Sequence, residues 1–242
     1  MAKVVGIIPA RYNSSRFPGK AIANLNGKPM VWHVYHQAKK SCMLDDLFIA
    51  TDDDRIVSVC SEYHLKCLLT SKEHVSGSDR VVECSRQIDA DFYVNIQGDE
   101  PMIDPITIDI LVKKALSFDR SDEVVVNCFA KINSVSDIED TNIVKVILTA
   151  SNNAIAFSRY PIPYSKDNHS KYFKQLGLYV FSKKALNAFK NMKIGPIEKS
   201  EGIEMYRFLE NDKNIQMVKV NDDSISVDTP SDLKRVADIL KA

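Results

Sequence analysis

Short apolar runs alternate with amphipathic stretches through the first half of this chain of 242 residues. Five runs rich in β-branched and other apolar residues are predicted as buried strands, at 3–9, 47–51, 66–70, 92–97 and 124–131. Between them apolar residues recur at helical spacing, which predicts helices over 29–40, 54–64, 78–89 and 105–118. Such alternation is typical of a mostly parallel sheet with right-handed crossovers and helices on both faces. The predicted fold class is therefore α/β.

From about residue 141 the elements are spaced differently. Strand candidates follow one another closely at 144–148, 154–158 and 175–181. They predict an antiparallel insertion over 141–182, a candidate lid or dimer surface, within a single domain spanning 1–242. The remaining predicted elements are helices at 182–192 and 196–211, a strand at 214–220, and a helix at 230–241 that has Thr229 as N-cap and Pro230 in its first position.

Charge and cysteine content bound the possible functions. Thirty-two basic and 32 acidic residues give a formal net charge of zero, so we expect no bulk binding to nucleic acid or to an acidic membrane. The five cysteines are odd in number and lack the spacing of a zinc site, which favours free thiols in a reducing cytoplasm. Neither a signal peptide nor a transmembrane helix is predicted.

The first predicted strand is followed by a loop that contains three cations, Arg11, Arg16 and Lys20, together with Ser14. Cationic side chains and backbone N–H groups in a small loop suit a polyphosphate. The loop is not a P-loop of the ATPase type, because that motif requires Ser or Thr after its lysine, where this chain has Ala21. A solvated surface loop is the alternative, and the position directly after a buried strand favours the phosphate site.

A second polar turn, containing Gln97, Gly98 and Asp99, follows the strand predicted at 92–97. Ligands in open α/β sheets bind just beyond the carboxyl ends of the strands. A carboxylate at that place is a natural ligand for Mg²⁺, which prefers a few hard oxygens together with substrate phosphates. The alternative is a simple glycine turn in which Asp99 caps the next element.

Segments distributed in order from the first strand to about residue 236 resemble the 3-deoxy-manno-octulosonate cytidylyltransferases (CMP-Kdo synthetases). They are IIPARYNSSRFPGK, NGKPMVWHVY, ATDD, HVSGSDR, VNIQGDEPMI, VKV, FSRYPIPY, LGLYVF and VDTPSDL. This resemblance implies a Rossmann-like nucleotidyltransferase sheet and a bacterial, cytoplasmic, Mg²⁺-dependent homodimer. It further implies that CTP and a 3-deoxy-ulosonic acid are joined to give a CMP-sugar and pyrophosphate, for lipopolysaccharide or capsule synthesis.

The resemblance also implies roles for individual residues on the nucleotide side. The implied nucleotide-binding residues are Arg11, Ser14, Arg16, Lys20, Ser76 and Gly77. Lys20, Arg11 and Asp99 would be catalytic, and Asp99 with Asp228 would hold Mg²⁺. The residues alone leave other interpretations open: Ser78 is a good N-cap for the helix that follows it, and Asp228 could be an ordinary carboxylate before a helix cap.

The sugar-binding residues that the resemblance implies are Arg80, Gln97, Arg159, Gln175, Tyr179, Glu201 and Met205. Arg80 could instead be a solvated charge on its helix. Gln175 and Met205 depart from the family, which usually has His and Gln there. Gln175 cannot carry the charge of a histidine, and Met205 makes no strong hydrogen bond. Because hydrogen-bonded pockets discriminate steeply between analogues, the predicted substrate is either Kdo or a relative that differs in its outer carbons.

Two other classes of protein stay open. Asp52, Asp53 and Asp54 follow a strand, as the Asp-x-Asp metal site of nucleotide-sugar-dependent glycosyltransferases does, although helix capping is the simpler interpretation. A CTP-binding homologue without enzymatic activity is the other class, and the presence of Lys20, Asp99 and Asp228 argues against it. The acylneuraminate cytidylyltransferases are a weaker match, because their first loop is typically richer in glycine and lacks the SSRFPGK run.

Overall fold

The computed structural model describes residues 2–14, 16–74, 76–166, 170–221 and 224–241. Its strands are β1 (Val4–Pro9), β2 (Asn24–Leu25), β3 (Lys28–Pro29), β4 (Asp46–Thr51), β5 (Cys67–Leu69), β6 (Phe92–Asn95), β7 (Val125–Lys131), β8 (Lys145–Leu148), β9 (Ala154–Ser158), β10 (Phe173–Ser182) and β11 (Gln216–Lys219). Its α-helices are α1 (Met30–Ala38), α2 (Asp54–Glu62), α3 (Gly77–Gln87), α4 (Pro105–Ala115), α5 (Val135–Glu139), α6 (Lys183–Asn191), α7 (Pro196–Glu201), α8 (Tyr206–Leu209) and α9 (Pro230–Ile239).

One large sheet forms the centre of the molecule, with the strand order β11-β7-β10-β6-β1-β4-β5. The pairs β1–β4, β1–β6, β4–β5 and β7–β11 are parallel, whereas β10 runs antiparallel to both β6 and β7. Strands β8 and β9 extend the sheet beside β10, and β2 and β3 form a separate hairpin. The prediction of an α/β fold with a mostly parallel sheet is confirmed.

Apolar side chains fill both faces of this sheet. Along β1, Val4 and Ile8 belong to one hydrophobic cluster, and Val5 and Ile7 belong to the other. Helices α1, α2 and α4 supply apolar residues to the first cluster, and α3 and α6 to the second. A strand that is covered on both faces is apolar at every position, as the run at the start of this chain is.

Strand β10 differs from its prediction. The run at 175–181 was expected to be the third strand of an insertion, but Val180 and Phe181 are fully buried at the centre of the main sheet, between β6 and β7. The physical reason is that the segment from Leu178 onward is apolar on both faces, which suits a central strand and not an edge. Among the predicted strands of the insertion, only β8 and β9 lie outside the main path of the sheet. A lid or dimer role for this region stays a prediction.

Two helix boundaries also differ from expectation. The helix predicted at 196–211 is broken into α7 and α8, because Gly202 adopts the left-handed conformation (φ 64°) that ends α7. Helix α3 begins with Ser76 as its N-cap, and not with Ser78. Ser76 and Asp79 exchange side-chain and backbone hydrogen bonds in a capping box. The predicted start of α9 at Thr229, followed by Pro230, is confirmed.

No helix among the described residues is long and apolar enough to cross a bilayer.

One contact of α3 predicts a pH dependence of stability. The Glu83 carboxylate accepts the backbone N–H of Ser71 at 2.9 Å and contacts the imidazole of His74. Burial raises the pKa of Glu83, but these two partners outweigh it and lower the pKa below its ordinary value. A carboxyl whose pKa is lower in the folded state stabilises the fold above its unfolded pKa, and this stabilisation is lost as pH falls through the folded pKa.

We therefore expect Glu83→Gln to make thermal stability less sensitive to acid below about pH 5, near the pKa of an unfolded glutamate. Melting temperatures measured from neutral pH to about pH 2.5 test this, with the α2 residue Glu62→Gln as the control. If the curves for Glu83→Gln and the unaltered protein are parallel, Glu83 contributes no such linkage.

Candidate active site

A cleft of about 410 Å³ opens at the carboxyl ends of β1 and β6. These two strands are adjacent and parallel, so the basic loop after β1 meets the polar turn after β6. The residues in this strand-end cleft that the sequence predicted are Arg11, Ser14, Arg16, Lys20, Ser76, Gly77, Gln97, Asp99 and Asp228. Ser15 and Val75, which belong to the motifs quoted above, lie outside the described residues.

Lys20 joins three segments at the floor of the cleft. Its Nζ donates hydrogen bonds to Asp99 Oδ2 at 2.7 Å, Asp228 Oδ1 at 3.1 Å and the carbonyl oxygen of Val227 at 3.2 Å. Burial lowers the pKa of Lys20, but the two carboxylates outweigh it and raise the pKa above the ordinary value. Lys20 therefore carries its positive charge at any physiological pH.

The other two cations of the loop lie at the rim of the same cleft. Arg16 Nη2 lies 3.0 Å from Asp228 Oδ2, and slightly more than half of the Arg16 side chain is exposed. Arg11 lines the cleft and lies close enough to Arg80 to help lower the pKa of that guanidinium, after the larger effect of burial. The rim can thus meet an anion that carries several charges.

Asp99 and Asp228, the two predicted Mg²⁺ ligands, lie close together in the cleft. Both carboxylates are within 3.1 Å of the same Lys20 nitrogen, so two hard oxygens lie close together on either side of that ammonium. The described residues contain no cluster of three or more acidic, histidine or cysteine side chains that could hold a metal. A pair of carboxylates, completed by phosphate oxygens and water, is how Mg²⁺ commonly binds with nucleotides. The residues present therefore fit a Mg²⁺ ion that shares a triphosphate.

A second cavity of about 860 Å³ adjoins the strand-end cleft and shares Arg16 and Asp228 with it. Gln175 and Tyr179, two of the predicted sugar-binding residues, line this second cavity. Gln175 Nε2 donates to the Tyr179 hydroxyl at 3.5 Å. Burial raises the pKa of Tyr179, so its hydroxyl stays protonated and can donate a hydrogen bond.

Arg159 and Glu201 line neither cavity and contact each other instead. Arg159 Nε donates to the backbone oxygen of Glu201 at 2.7 Å, and the Glu201 carboxylate accepts from the Ser158 hydroxyl at 3.0 Å. Arg159 Nη1 also donates to the backbone oxygen of Thr141 at 2.9 Å. These bonds tie α7 to the end of β9. A sugar-binding role for Arg159 and Glu201 stays a prediction.

Arg80 is not where the prediction put it. It is 0 % exposed, its Nη2 lies 3.3 Å from Asp52 Oδ2, and its Nη1 donates to the Thr70 hydroxyl. Burial lowers the pKa of Arg80, and the Asp52 carboxylate opposes that change. Arg80 is thus neither a solvated helix charge nor a cleft residue, because α3 turns this position toward the sheet.

The prediction that Met205 lines the sugar site is also wrong. It is 0 % exposed and packs in the second hydrophobic cluster with Phe157 and Phe208. The break at Gly202 sets the direction of this segment: Glu204 lines the strand-end cleft, and the next residue enters the core. A sulfur side chain there requires no hydrogen bond, so the departure from the family at this position has a packing explanation.

Glu204 is a cleft residue that sequence reasoning missed. Its carboxylate accepts the N–H groups of Gly77 at 3.2 Å and Ser78 at 3.3 Å, at the N-terminus of α3. Burial raises the pKa of Glu204, although these bonds oppose the change. The N–H of Gly77, which the resemblance assigns to the nucleotide, is thus bonded to Glu204 here. The glycine two residues earlier was the signal, since it ends a helix and redirects the chain.

The aspartates after β4 cap a helix and form a buried ion pair. Asp53 is the N-cap of α2 and accepts the backbone N–H of Arg55 at 3.0 Å. Asp52 pairs with the buried Arg80. Neither aspartate lines the strand-end cleft or the second cavity, so these contacts favour the capping interpretation over an Asp-x-Asp metal site.

Known proteins that are similar in sequence and structure identify the family of this chain. The family model described as cytidylyltransferase matches residues 5–215. The chain belongs to the cytidylyltransferase family. A relative of this cytidylyltransferase, 3-deoxy-manno-octulosonate cytidylyltransferase from Solibacter usitatus, is 41 % identical over 99 % of this chain and 95 % of its own length. The protein of that name from Geobacter metallireducens is 39 % identical over 98 % of each chain.

Solved structures are also similar to this cytidylyltransferase. CMP:2-keto-3-deoxy-manno-octonic acid synthetase complexed with CTP superposes with a TM-score of 0.93 and 33 % identity, covering 99 % of both chains. A putative glucose-1-phosphate thymidylyltransferase from Bacillus anthracis, with a TM-score of 0.69 and 17 % identity, shares the fold alone. The predicted nucleotidyltransferase fold and the predicted family are confirmed.

Proposed function

We propose that this cytidylyltransferase joins CTP and 3-deoxy-manno-octulosonic acid (Kdo), giving CMP-Kdo and pyrophosphate. The observation that carries the proposal is the strand-end cleft, which Arg11, Arg16 and Lys20 line together with the carboxylates of Asp99 and Asp228. The full-length similarity to a synthetase complexed with CTP supports CTP as the ligand of this cleft.

The reaction requires positioning and charge neutralisation more than covalent chemistry by the protein. The anomeric hydroxyl oxygen of the sugar forms a bond to the α-phosphorus of CTP. The bond from that phosphorus to the oxygen bridging to the β-phosphate breaks, pyrophosphate leaves, and the hydroxyl proton passes to water. Arg11, Arg16 and Lys20 would bind the triphosphate and offset the charge that develops on the leaving pyrophosphate.

Asp99 and Asp228 would hold Mg²⁺ in this proposal. When bound, the ion neutralises phosphate charge and lowers the pKa of a hydroxyl that it binds. Lys20 keeps these two carboxylates together in the free protein, since it bonds to both. Gln97 lies in the same cleft and can offer amide hydrogen bonds to the incoming sugar.

The sugar would occupy the second cavity, beside Gln175 and Tyr179. With Met205 in the core, Gln175 is the remaining departure from the family on this side, which favours Kdo over an altered sugar. Values of kcat/KM for Kdo, its 8-amino analogue and nonulosonic acids decide between them. Ordinary turnover of Kdo with poor turnover of the analogues supports Kdo, and the reverse order would identify a different 3-deoxy-ulosonic acid.

A pyrophosphate-release assay separates this function from the two alternatives. We expect pyrophosphate only when CTP and the sugar acid are both present. A glycosyltransferase would consume a nucleotide-sugar and release no pyrophosphate. A non-enzymatic homologue would bind CTP without any release, and either outcome would refute the proposal.

The cellular compartment, the homodimer contact and the use of the product are proposals as well. All five cysteines are free thiols, which supports a reducing cytoplasm. Ile155, Tyr160 and Tyr164 expose 54 %, 73 % and 89 % of their surface around β9, which supports this region as the homodimer contact. The product would supply lipopolysaccharide or capsule synthesis.

Gly98 provides a test of the cleft geometry. A Cβ at Gly98 would lie 2.5 Å from the carbonyl oxygen of Pro9, so only glycine lets the turn approach the end of β1. Gly98→Ala is expected to separate the two loops and to reduce pyrophosphate release by about tenfold or more, a loss of about 1.4 kcal/mol in transition-state stabilisation. Gly27→Ala is the control: alanine strains the β2–β3 turn there because Gly27 has φ 87°, but its Cβ meets nothing within 4 Å, so we expect some loss of thermal stability and unchanged pyrophosphate release. Equal activity of Gly98→Ala and the unaltered protein would contradict the expected close contact.

A further inference from the structure

The sheet contains an irregularity next to the second cavity. Between β7 and β10 the register pairs Gln175 with Phe129 and then Tyr179 with Asn127. Strand β10 therefore advances by four residues where β7 advances by two. In a regular ladder the partner of Asn127 would be residue 177, so the bulge displaces Tyr179 by two positions, or about 7 Å, along the strand.

The side chain of Asn127 provides hydrogen bonds to backbone carbonyl groups of this bulge. Its Nδ2 donates one hydrogen bond to the carbonyl oxygen of Leu176 at 2.8 Å and another to that of Leu178 at 2.7 Å. Asn127 is 0 % exposed, so water does not replace these bonds. Carbonyl groups that a bulge takes out of the ladder need other partners when they are buried. A single amide supplies both.

Gly177 lies between these two carbonyl groups and faces Gln97. A Cβ at Gly177 would lie 2.6 Å from Gln97 Cγ. Gln97 lines the strand-end cleft, while Gly177 and Tyr179 line the second cavity. The bulge is therefore part of the wall where the two cavities meet.

We propose that Asn127 is a positioning residue for sugar binding, which acts by fixing the β10 bulge. With the bulge in place, Tyr179 stands at the second cavity and Gln97 packs against Gly177. Asn127 itself lines neither cavity and would not touch the substrate. The proposal rests on the proposed function, because it assigns the second cavity to the sugar acid.

Asn127→Leu tests this, since leucine has a similar size but cannot donate to either carbonyl. We expect KM for Kdo to rise by about tenfold or more, equivalent to about 1.4 kcal/mol, while KM for CTP changes by less than about twofold. Ser182→Ala is the control: at the far end of β10 it removes a hydroxyl that donates to the Asp122 carbonyl at 2.8 Å and accepts the N–H groups of Val124 and Ala185. That variant is expected to lose thermal stability and to keep both KM values.

Gly177→Ala provides a second variant that leaves Asn127 intact. Its Cβ would force Gln97 to move, so we expect the same selective increase in KM for Kdo. This variant also covers the case in which Asn127→Leu fails to fold. If KM for CTP and KM for Kdo rise together in both variants, or if neither changes, Asn127 and the bulge do not position the sugar.

Crystal structures of the unaltered protein and Asn127→Leu distinguish failure of this proposal from failure of the proposed function. If the unaltered protein releases no pyrophosphate from CTP and Kdo, the proposed function is wrong. The structures then decide the positioning proposal alone. A bulge that persists in the variant, with Tyr179 still opposite residue 127, would overturn it, and a regular ladder would support it.

Discussion

Replacing Lys20 with methionine is expected to slow pyrophosphate release from CTP and Kdo by about 10²- to 10³-fold, the usual effect of losing one preorganised donor to a developing charge. Lys20 is the cation that contacts both Asp99 and Asp228. Without it, two carboxylates face each other and a triphosphate at the same place, with one fewer positive charge. The loss should appear mainly in kcat, because charge on the leaving pyrophosphate increases in the transition state.

Two further variants make this result specific. Lys20→Arg keeps the charge but replaces a compact ammonium by a planar fork, so we expect activity between that of the methionine variant and the unaltered protein. Lys66→Met removes a lysine whose ion pair with Asp46, at 2.6 Å, is as short but lies on the surface, and should leave activity unchanged. Full activity of Lys20→Met would remove Lys20 from the proposed mechanism.

The second large effect concerns stability, at the buried ion pair between Arg207 and Glu198. Arg207 Nη2 lies 2.6 Å from Glu198 Oε1, and Nη1 lies 3.1 Å from Asp79 Oδ1. Only 6 % of the Arg207 side chain and 8 % of the Glu198 side chain are exposed. The pair joins α7 and α8 to the first turn of α3, whose N-terminus lines the strand-end cleft.

Arg207→Met is expected to lower the free energy of unfolding by about 3–5 kcal/mol, because it leaves the Glu198 carboxylate buried without its partner. The double variant with Glu198→Met should recover most of that loss, since apolar replacement of a whole buried pair is often neutral. Lys183→Met, which breaks an exposed pair with Asp89, should cost much less than Arg207→Met. Urea denaturation measures all three. Equal costs for Arg207→Met and Lys183→Met would contradict this account.

The sequence predicted the parts of the site that depend on strand ends. Lys20 and Asp99 each follow an apolar strand, and parallel neighbours bring their carboxyl ends together. The position of each loop directly after its strand is local in sequence, whereas the adjacency of β1 and β6 is a tertiary property of the sheet. The prediction of Thr229 as a helix start succeeded for a similar reason, since the cap and the following proline are adjacent in the chain.

The wrong predictions share a different cause. The burial of a side chain and the direction in which it points depend on contacts with residues distant in the sequence. Arg80 is buried because Asp52 and Thr70, from other segments, meet it. Met205 enters the core because the chain reverses at Gly202. The apolar run of β10 is found at the centre of the sheet, since strand pairing is set by tertiary contacts that no local pattern records.

The most direct test of the proposed function is phosphorus NMR of purified protein with CTP, Kdo and Mg²⁺. We predict that the CTP resonances decline together as pyrophosphate and a single phosphodiester resonance, that of CMP-Kdo, increase in equal amounts. A CTP spectrum that Kdo does not change, or release of CMP and pyrophosphate without a phosphodiester, would contradict the proposed synthesis of CMP-Kdo.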